Sequence, residues 1–308
     1  MFRTARPHPI ARQNAVLCLS GDGFHRMEYA EWGDAGAAKT VVCAHGLTGN
    51  GRDFDELAGA LAVAGYHVVC PDLVGRGSSD WLADPSGYVL KQYLADMACL
   101  LARLRVDAVD WLGTSLGGLI GMTLAAATCT PVRRLVLNDI GAHVPSAALL
   151  RLDAHLGADP DFVDLDAAER WLREVRAPYG RLTDEQWRRM TERSVRRSES
   201  GGYRLRYDPR IAVKFAEGAG KDVDAWKTWD EVSCPVLVLR GERSDLLLAE
   251  TAAEMSTRGA GARVVEIPGC GHVPPLMDEA QIAPIVEWLG HVEPTGPAGD
   301  VAARQALG

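Results

Sequence analysis

The sequence predicts an α/β fold, in which a mostly parallel sheet is flanked by helices and interrupted once by a helical cap. Apolar runs typical of buried strands alternate with helical periodicity from residue 40 to 139, and the alternation resumes near residue 235. The intervening segment is polar, with helical periodicity and no clear strand. The predicted units are a core formed by 1–143 and 230–290, a cap over 144–229, and a flexible tail over 291–308 that is rich in Pro, Gly and Ala.

The elements of the first half follow from local patterns. Two short strands, 15–20 and 27–32, flank the turn Gly21-Asp22-Gly23 and form a hairpin-like opening. The run 40–44 is continuously apolar, which is typical of a strand buried on both faces, and it leads into the glycine-rich loop 45–51. The elements predicted next are a helix over 52–64, a strand over 66–70, a helix over 88–104 and a strand over 133–137, besides the central motif described below.

The second half repeats the pattern after the cap. Strands are predicted over 235–239 and 263–267, with helices near 246–257 and over 279–289. Strands that alternate with helices in this way form a parallel sheet with right-handed crossovers.

The net charge, the apolar runs and the cysteines argue against several classes of partner and location. The formal net charge of −8 argues against nucleic acid or an anionic membrane as a partner, and no apolar run is long enough to span a bilayer. The basic residues of 1–13 lack an apolar segment behind them, so we expect a loose arm and not a signal peptide. Seven dispersed cysteines without metal-ligand spacing indicate reduced, buried thiols and a cytoplasmic protein.

The central motif is Gly113-Thr114-Ser115-Leu116-Gly117, which lies between an apolar run and a small-residue apolar run. This context predicts a strand, a sharp turn carrying a serine, and a buried helix. The two glycines remove side chains where strand and helix approach each other. We therefore predict that Ser115 is a nucleophile.

Two further polar residues follow predicted strand ends, namely Asp245 after 235–239 and His272 after 263–267. Carboxyl ends of parallel strands meet at one edge of a sheet, so these side chains can converge on Ser115. A neutral imidazole can accept the serine proton, and a carboxylate can hold its tautomer. The chemistry needs no metal or cofactor.

Developing negative charge on the substrate oxygen needs hydrogen-bond donors that are already aimed at it. The backbone N–H of Leu116, directly after the nucleophile, is one predicted donor. The backbone N–H of Leu47, in the loop 45–51, is the other.

Several residues compete for these roles or have simpler ones. Asp139 also follows a strand end and is a rival of Asp245 for the acid. His45 and Asp72 are expected to brace their own loops. The arginine-rich stretch of the cap, between 188 and 210, is interpreted as a solvated helical face.

Taken together, these motifs resemble the α/β-hydrolase fold family, of the serine hydrolase or esterase type. The resemblance covers roughly residues 25–290. It is carried by His45-Gly46-Leu47, Asp72-Leu73-Val74-Gly75-Arg76-Gly77-Ser78, Gly113-Thr114-Ser115-Leu116-Gly117, Asp245 and Gly271-His272.

The resemblance implies that Ser115 is the nucleophile, Asp245 the acid and His272 the base. The activity expected is hydrolysis of a small carboxylic ester through an acyl-enzyme. One alternative is C–C bond hydrolysis of ring-cleavage products, which uses the same residues. An alternative of another class is a ligand-binding module on this fold without catalysis.

Overall fold

The computed structural model describes residues 12–291. The chain begins with a hairpin and then alternates strands and helices up to residue 138. The elements of this half are β1 (Arg12–Ser20), β2 (Gly23–Trp32), β3 (Thr40–Ala44), α1 (Asp55–Val63), β4 (His67–Pro71), α2 (Leu90–Leu104), β5 (Val109–Thr114), α3 (Leu116–Ala126) and β6 (Val132–Asn138). They agree with the predicted elements to within a few residues.

The segment between β6 and the next strand of the main sheet consists mostly of helices. Its elements are β7 (His143–Val144), α4 (Ser146–Leu156), α5 (Leu165–Val175), α6 (Asp184–Ser194), β8 (Val195–Arg197), β9 (Tyr203–Leu205), α7 (Ile211–Ala219), β10 (Val223–Asp224) and α8 (Trp226–Glu231). The chain then returns to the sheet with β11 (Val236–Gly241), α9 (Ala249–Thr257), β12 (Ala262–Ile267) and α10 (Glu279–His291).

The main sheet has eight strands in the order β1-β2-β4-β3-β5-β6-β11-β12. The pairs β1–β2 and β2–β4 are antiparallel, and the remaining neighbours are parallel. β5 lies in the middle, so Ser115 follows a central strand. The α/β class with a mostly parallel, helix-flanked sheet is therefore confirmed.

The central strands are buried on both faces, as their continuous apolar runs predicted. In β5, Trp111 packs into the apolar cluster on one face of the sheet, whereas Leu112 packs into the cluster on the other face. Both side chains are fully buried. Successive residues of a strand point to opposite faces, and this alternation supplies both layers of the core.

The expectation that 144–229 lacks strands is wrong. β8 pairs with β9 in an antiparallel hairpin, and β10 pairs with β7, some 80 residues earlier in the chain. Strands of two or three residues are too short to show a period of two, and the partner that stabilises β7 is distant in sequence. The limits 144 and 229 of a separate cap stay a prediction.

At both ends of the described range, the secondary structure extends further than predicted. Arg12 and Gln13, expected in a loose arm, belong to β1, where they pair with Glu31 and Ala30. His291, expected in the tail, is the last residue of α10. The rest of both predictions, 1–11 and 292–308, lies outside the described residues. Within 12–291, no helix combines the length and apolar character needed to cross a membrane.

Candidate active site

Ser115 occupies a strained turn between β5 and α3. Its backbone has φ 50° and ψ −114°, a conformation that a non-glycine residue adopts only when its surroundings impose it. The Ser115 N–H donates to the carbonyl oxygen of Asn138 at 3.1 Å, and the Ser115 carbonyl accepts from the N–H groups of Gly118 and Leu119. These bonds hold the backbone of the serine between strand and helix.

The two glycines of the motif permit a close approach. A Cβ at Gly113 would fall on the backbone of Gly117 and Gly118 at the start of α3. A Cβ at Gly117 would fall on the carbonyl of Ala44 at the end of β3. Substitution at either glycine would therefore push the helix off the sheet, so the close approach predicted from the two glycines is confirmed.

His272 is held by Asp139. The His272 Nδ1 lies 2.8 Å from the Oδ2 of Asp139, and both side chains are buried. A carboxylate can only accept, so Nδ1 donates this hydrogen bond, and in the neutral imidazole Nε2 is then the nitrogen with a free lone pair. Asp139 also accepts from the Gly241 N–H at 2.7 Å and from the Ser244 hydroxyl at 2.6 Å. These donors place the carboxylate rigidly behind the imidazole.

The prediction of Asp245 as the partner of His272 needs correction. The Asp245 carboxylate accepts from the Arg151 guanidinium, with Nη2–Oδ1 at 2.8 Å, and its side chain is 47% exposed. Burial opposes the ionisation of Asp245, but the bonds and charge of Arg151 outweigh it, so the pKa of Asp245 lies below its ordinary value. Asp139, the rival at the end of β6, occupies the position that Asp245 was expected to fill.

Sequence reasoning could not separate the two acids, since both follow strands at the same edge of the sheet. The difference lies in contacts between residues about a hundred positions apart, such as the Ser244 hydroxyl on Asp139. Asp139 also has φ 54°, in the left-handed region that Asp tolerates better than most residues. No local pattern in the sequence marks that conformation.

The two predicted oxyanion donors lie near the serine. Leu116 begins α3, so its N–H has no acceptor within the helix. Leu47 lies in the loop after β3, and its carbonyl accepts from the Nε of Arg76 at 2.9 Å. Arg76 is fully buried and also donates to the Tyr93 hydroxyl at 2.8 Å. Sequence reasoning missed Arg76 as the side chain that fixes the Leu47 loop.

His45 and Asp72 brace their loops as expected. The His45 Nε2 accepts from the Leu73 N–H at 2.9 Å, while Nδ1 lies 2.7 Å from the Gly46 carbonyl. Burial lowers the pKa of His45 to about 3, so the ring is neutral. Asp72 accepts from the N–H groups of Gly51 and Ser78, and burial raises its pKa to about 6.

Ser115 and His272 line one cavity of about 140 Å³. No hydrogen bond joins their side chains in the described part of the chain, a common situation in sites without substrate. Segments that follow strands of the main sheet, such as 46–54 and 272–277, form one wall of the cavity. Residues between 151 and 207 form the other. The second wall is largely apolar and includes Leu152, Leu156, Trp171, Leu172 and Val175.

The class of protein follows from the fold and from comparison with known families. The family model described as "alpha/beta hydrolase fold" matches residues 39–278. The chain therefore belongs to the α/β-hydrolase family, and it is a hydrolase. The resemblance found in the sequence is confirmed.

Three individual proteins illustrate what this chain is similar to. A 3-hydroxybutyrate-oligomer hydrolase of Cupriavidus necator is 46% identical over 280 residues, covering 88% of this chain and 95% of that protein. A 2-(acetamidomethylene)succinate hydrolase of Mesorhizobium japonicum is 29% identical, covering 78% and 83%. A solved α/β hydrolase from Novosphingobium aromaticivorans is 38% identical and superposes with a TM-score of 0.82, covering 92% and 99%.

Proposed function

We propose that this hydrolase cleaves a small carboxylic ester through an acyl-enzyme, with Ser115 as nucleophile, His272 as base and Asp139 as acid. One observation carries the proposal. Ser115, on its strained turn, lines the same cavity as His272, whose Nδ1 is held 2.8 Å from the buried Asp139 carboxylate. A serine, an oriented imidazole and a buried carboxylate are the groups that acyl transfer requires.

The proposed reaction has two halves. The His272 Nε2 accepts the Ser115 proton while the oxygen of Ser115 attacks the ester carbonyl, and the N–H groups of Leu47 and Leu116 stabilise the resulting oxyanion. Collapse breaks the bond to the alcohol oxygen, which takes the proton from the imidazolium. A water molecule then attacks the acyl-enzyme with His272 again as base, releasing the acid and restoring Ser115.

The segment 144–229 would act as a cap that selects the substrate. Its side chains contribute much of the apolar wall opposite the serine, and the cavity volume of about 140 Å³ favours a short acyl chain. The 46% identical relative is named for hydrolysis of 3-hydroxybutyrate oligomers. We extend this to propose a short hydroxyalkanoate ester as the substrate class.

The test is replacement of Ser115 by alanine. The variant should fold, because the strained turn is held by backbone bonds, and its kcat/KM for p-nitrophenyl acetate should fall by at least about 10³-fold. Ser256→Ala, at an exposed position of α9, is the matched control and should keep wild-type activity. A folded Ser115→Ala enzyme with near-normal turnover would overturn the proposal.

A fluorophosphonate probe gives a second readout that does not depend on choosing the right ester. It should label the wild-type protein at Ser115 and leave the Ser115→Ala variant unlabelled. Efficient cleavage of a 2-hydroxy-6-oxo-dienoate, together with ester turnover weaker by orders of magnitude, would favour C–C hydrolysis instead.

A further inference from the structure

Of the described residues, three arginines line the cavity that contains Ser115: Arg151, Arg176 and Arg193. Two of them have carboxylate partners. Arg151 pairs with Asp245, and Arg193 pairs with the neighbouring acids Asp55 and Glu56 of α1. Arg176 is different, because it forms no ion pair with any residue in 12–291.

Arg176 lies at the C-terminal end of α5 and is only 7% exposed. Its Nη1 donates to the hydroxyl of Ser194 at 2.9 Å, and its guanidinium lies 5.6 Å from the centre of the Tyr179 ring. The other guanidinium nitrogens have no partner among the described residues, yet none is fully enclosed. Arg176 lines the cavity, and these nitrogens are the hydrogen-bond donors that it has left.

No carboxylate among the described residues forms an ion pair with Arg176. Asp53, in the same cavity, is an acid on which Arg176 acts electrostatically, but the two form no ion pair. The Asp53 Oδ2 instead accepts from the Asn50 N–H at 3.2 Å, and burial raises the pKa of Asp53. A guanidinium stays protonated at any physiological pH, so this cavity contains a largely desolvated cation with free donors.

We infer that Arg176 binds the free carboxylate of an acidic ester substrate, while Ser115 attacks the ester carbonyl of the same molecule. This inference rests on the proposed function and adds a charge requirement to it. A guanidinium fork matches a carboxylate in a two-point contact. The Ser194 hydroxyl and the Tyr179 ring orient the fork and leave its remaining donors for the ligand.

Oligomers of hydroxyalkanoic acids fit this description, since each has ester bonds and one terminal carboxylate. Neutral esters such as p-nitrophenyl acetate can occupy the serine side of the cavity but cannot use Arg176. The enzyme should consequently discriminate between an acidic ester and a neutral analogue of the same shape.

The experiment compares the 3-hydroxybutyrate dimer with its primary carboxamide, which keeps the ester bond and loses the charge. In the wild-type enzyme, kcat/KM for the acid should exceed that for the amide by about 10- to 100-fold. Arg176→Met should lower this ratio by about tenfold or more, mainly through KM of the acid. Arg176→Lys, which keeps the charge without the fork, should give an intermediate ratio.

The matched control is the double variant Arg151→Met/Asp245→Asn, which removes another cavity arginine together with its partner and leaves the net charge unchanged. Its acid-to-amide ratio should stay within a few-fold of the wild-type ratio. Equal kcat/KM for acid and amide in the wild-type enzyme, or an unchanged acid-to-amide ratio in Arg176→Met, overturns the inference. The proposed function is tested separately, because it stands as long as the wild-type enzyme hydrolyses p-nitrophenyl acetate and Ser115→Ala does not.

Binding supplies a readout that does not require turnover. By calorimetry, Ser115→Ala protein should bind the dimer acid more tightly than the carboxamide, and adding Arg176→Met should remove the difference. If Arg176→Met fails to fold, Arg176→Lys in the Ser115→Ala background is measured in the same way. Equal affinity for acid and amide in Ser115→Ala protein contradicts the inference whatever the catalytic result.

Discussion

Asp139 and Asp245 carry the same functional group and both follow strands at one edge of the sheet. Their surroundings differ in kind. Asp139 is fully buried and accepts hydrogen bonds from His272, Gly241 and Ser244. Asp245 is half exposed and neutralised by Arg151. A carboxylate held by fixed donors can orient an imidazole, whereas a screened surface pair contributes little.

We therefore predict opposite outcomes for the two conservative amides. Asp139→Asn should lower kcat by about 10⁴-fold, because the amide cannot hold His272 in the tautomer that leaves Nε2 free. Asp245→Asn should change kcat by no more than a few-fold. Ester turnover by both purified variants is the measurement, and a crippled Asp245→Asn enzyme beside an active Asp139→Asn enzyme would reverse the assignment.

His45 shows how a buried histidine couples stability to pH. Burial lowers its folded-state pKa to about 3, whereas in the unfolded chain it titrates near its ordinary value of 6.5. Between these values the unfolded state binds more protons than the folded state. The contribution of His45 to stability is therefore complete above pH 6.5 and is lost as the pH falls towards 3.

Acidification from pH 6.5 to 5 should thus cost about 2 kcal/mol of unfolding free energy through His45 alone. His45→Gln removes the titrating group and retains an acceptor for the Leu73 N–H. This variant should be less stable at neutral pH but show a shallower decline on acidification. Urea unfolding at a series of pH values measures both slopes, and parallel slopes would contradict the assignment.

At the scale of the element, the junction of β5 with α3 depends on residues without side chains. The Trp111 Nε1 donates to the Gly117 carbonyl at 3.0 Å, and a Cβ at Gly121 would fall on the indole ring of Trp111. The helix can approach the strand closely only because Gly121 leaves room for the ring. Gly218, in α7, has nothing within 4 Å of the corresponding position.

Alanine substitutions at these two helical glycines should therefore differ in sign. Gly121→Ala should destabilise the protein by about 1–3 kcal/mol, since the added methyl group overpacks the junction. Gly218→Ala should stabilise it by up to about 1 kcal/mol, because alanine favours the helix and meets no neighbour. Urea unfolding measures the change in unfolding free energy of each variant. Equal changes in the two variants would show that packing against Trp111 is not the cause.

At the scale of the whole molecule, ion pairs attach the segment between β6 and β11 to the sheet domain. Arg193 of α6 pairs with Asp55 and Glu56 of α1 at 3.0 Å each, and all three side chains are mostly buried. The Arg193 carbonyl also accepts from the Asn50 Nδ2 at 3.0 Å. These contacts lie beside the cavity, so they fix one wall of the site relative to the other.

Arg193→Met should lower the unfolding free energy by about 2 kcal/mol, because two largely buried carboxylates each lose one of two arginine partners and keep Arg52 or Arg189. It should also expose the segment to limited proteolysis. The control is Arg188→Met in the same helix, whose pair with Asp166 is exposed and should contribute at most about 1 kcal/mol. If the two variants lose similar unfolding free energy, Arg193 is not the residue that holds this wall of the cavity.

The sequence by itself determined the features that local patterns encode. Continuous apolar runs predicted the central strands, and alternation with helices predicted their parallel arrangement, because burial on both faces leaves a direct mark on composition. The Gly113–Gly117 motif also located the strained turn at Ser115, since a close approach of backbones excludes side chains. Ser115 and His272, the latter predicted from its position after a strand end, line one cavity.

The tertiary structure alone decided the features that depend on contacts between distant segments. Asp139 was separated from Asp245 by donors about a hundred residues away, and the β7–β10 pair joins residues some 80 positions apart. Arg176 is one of many arginines in the sequence, and only the fold shows that it lies in the cavity without a carboxylate partner among residues 12–291. Whether a charge is neutralised depends on which side chains lie close to it in the folded chain, and residues distant in sequence supply them.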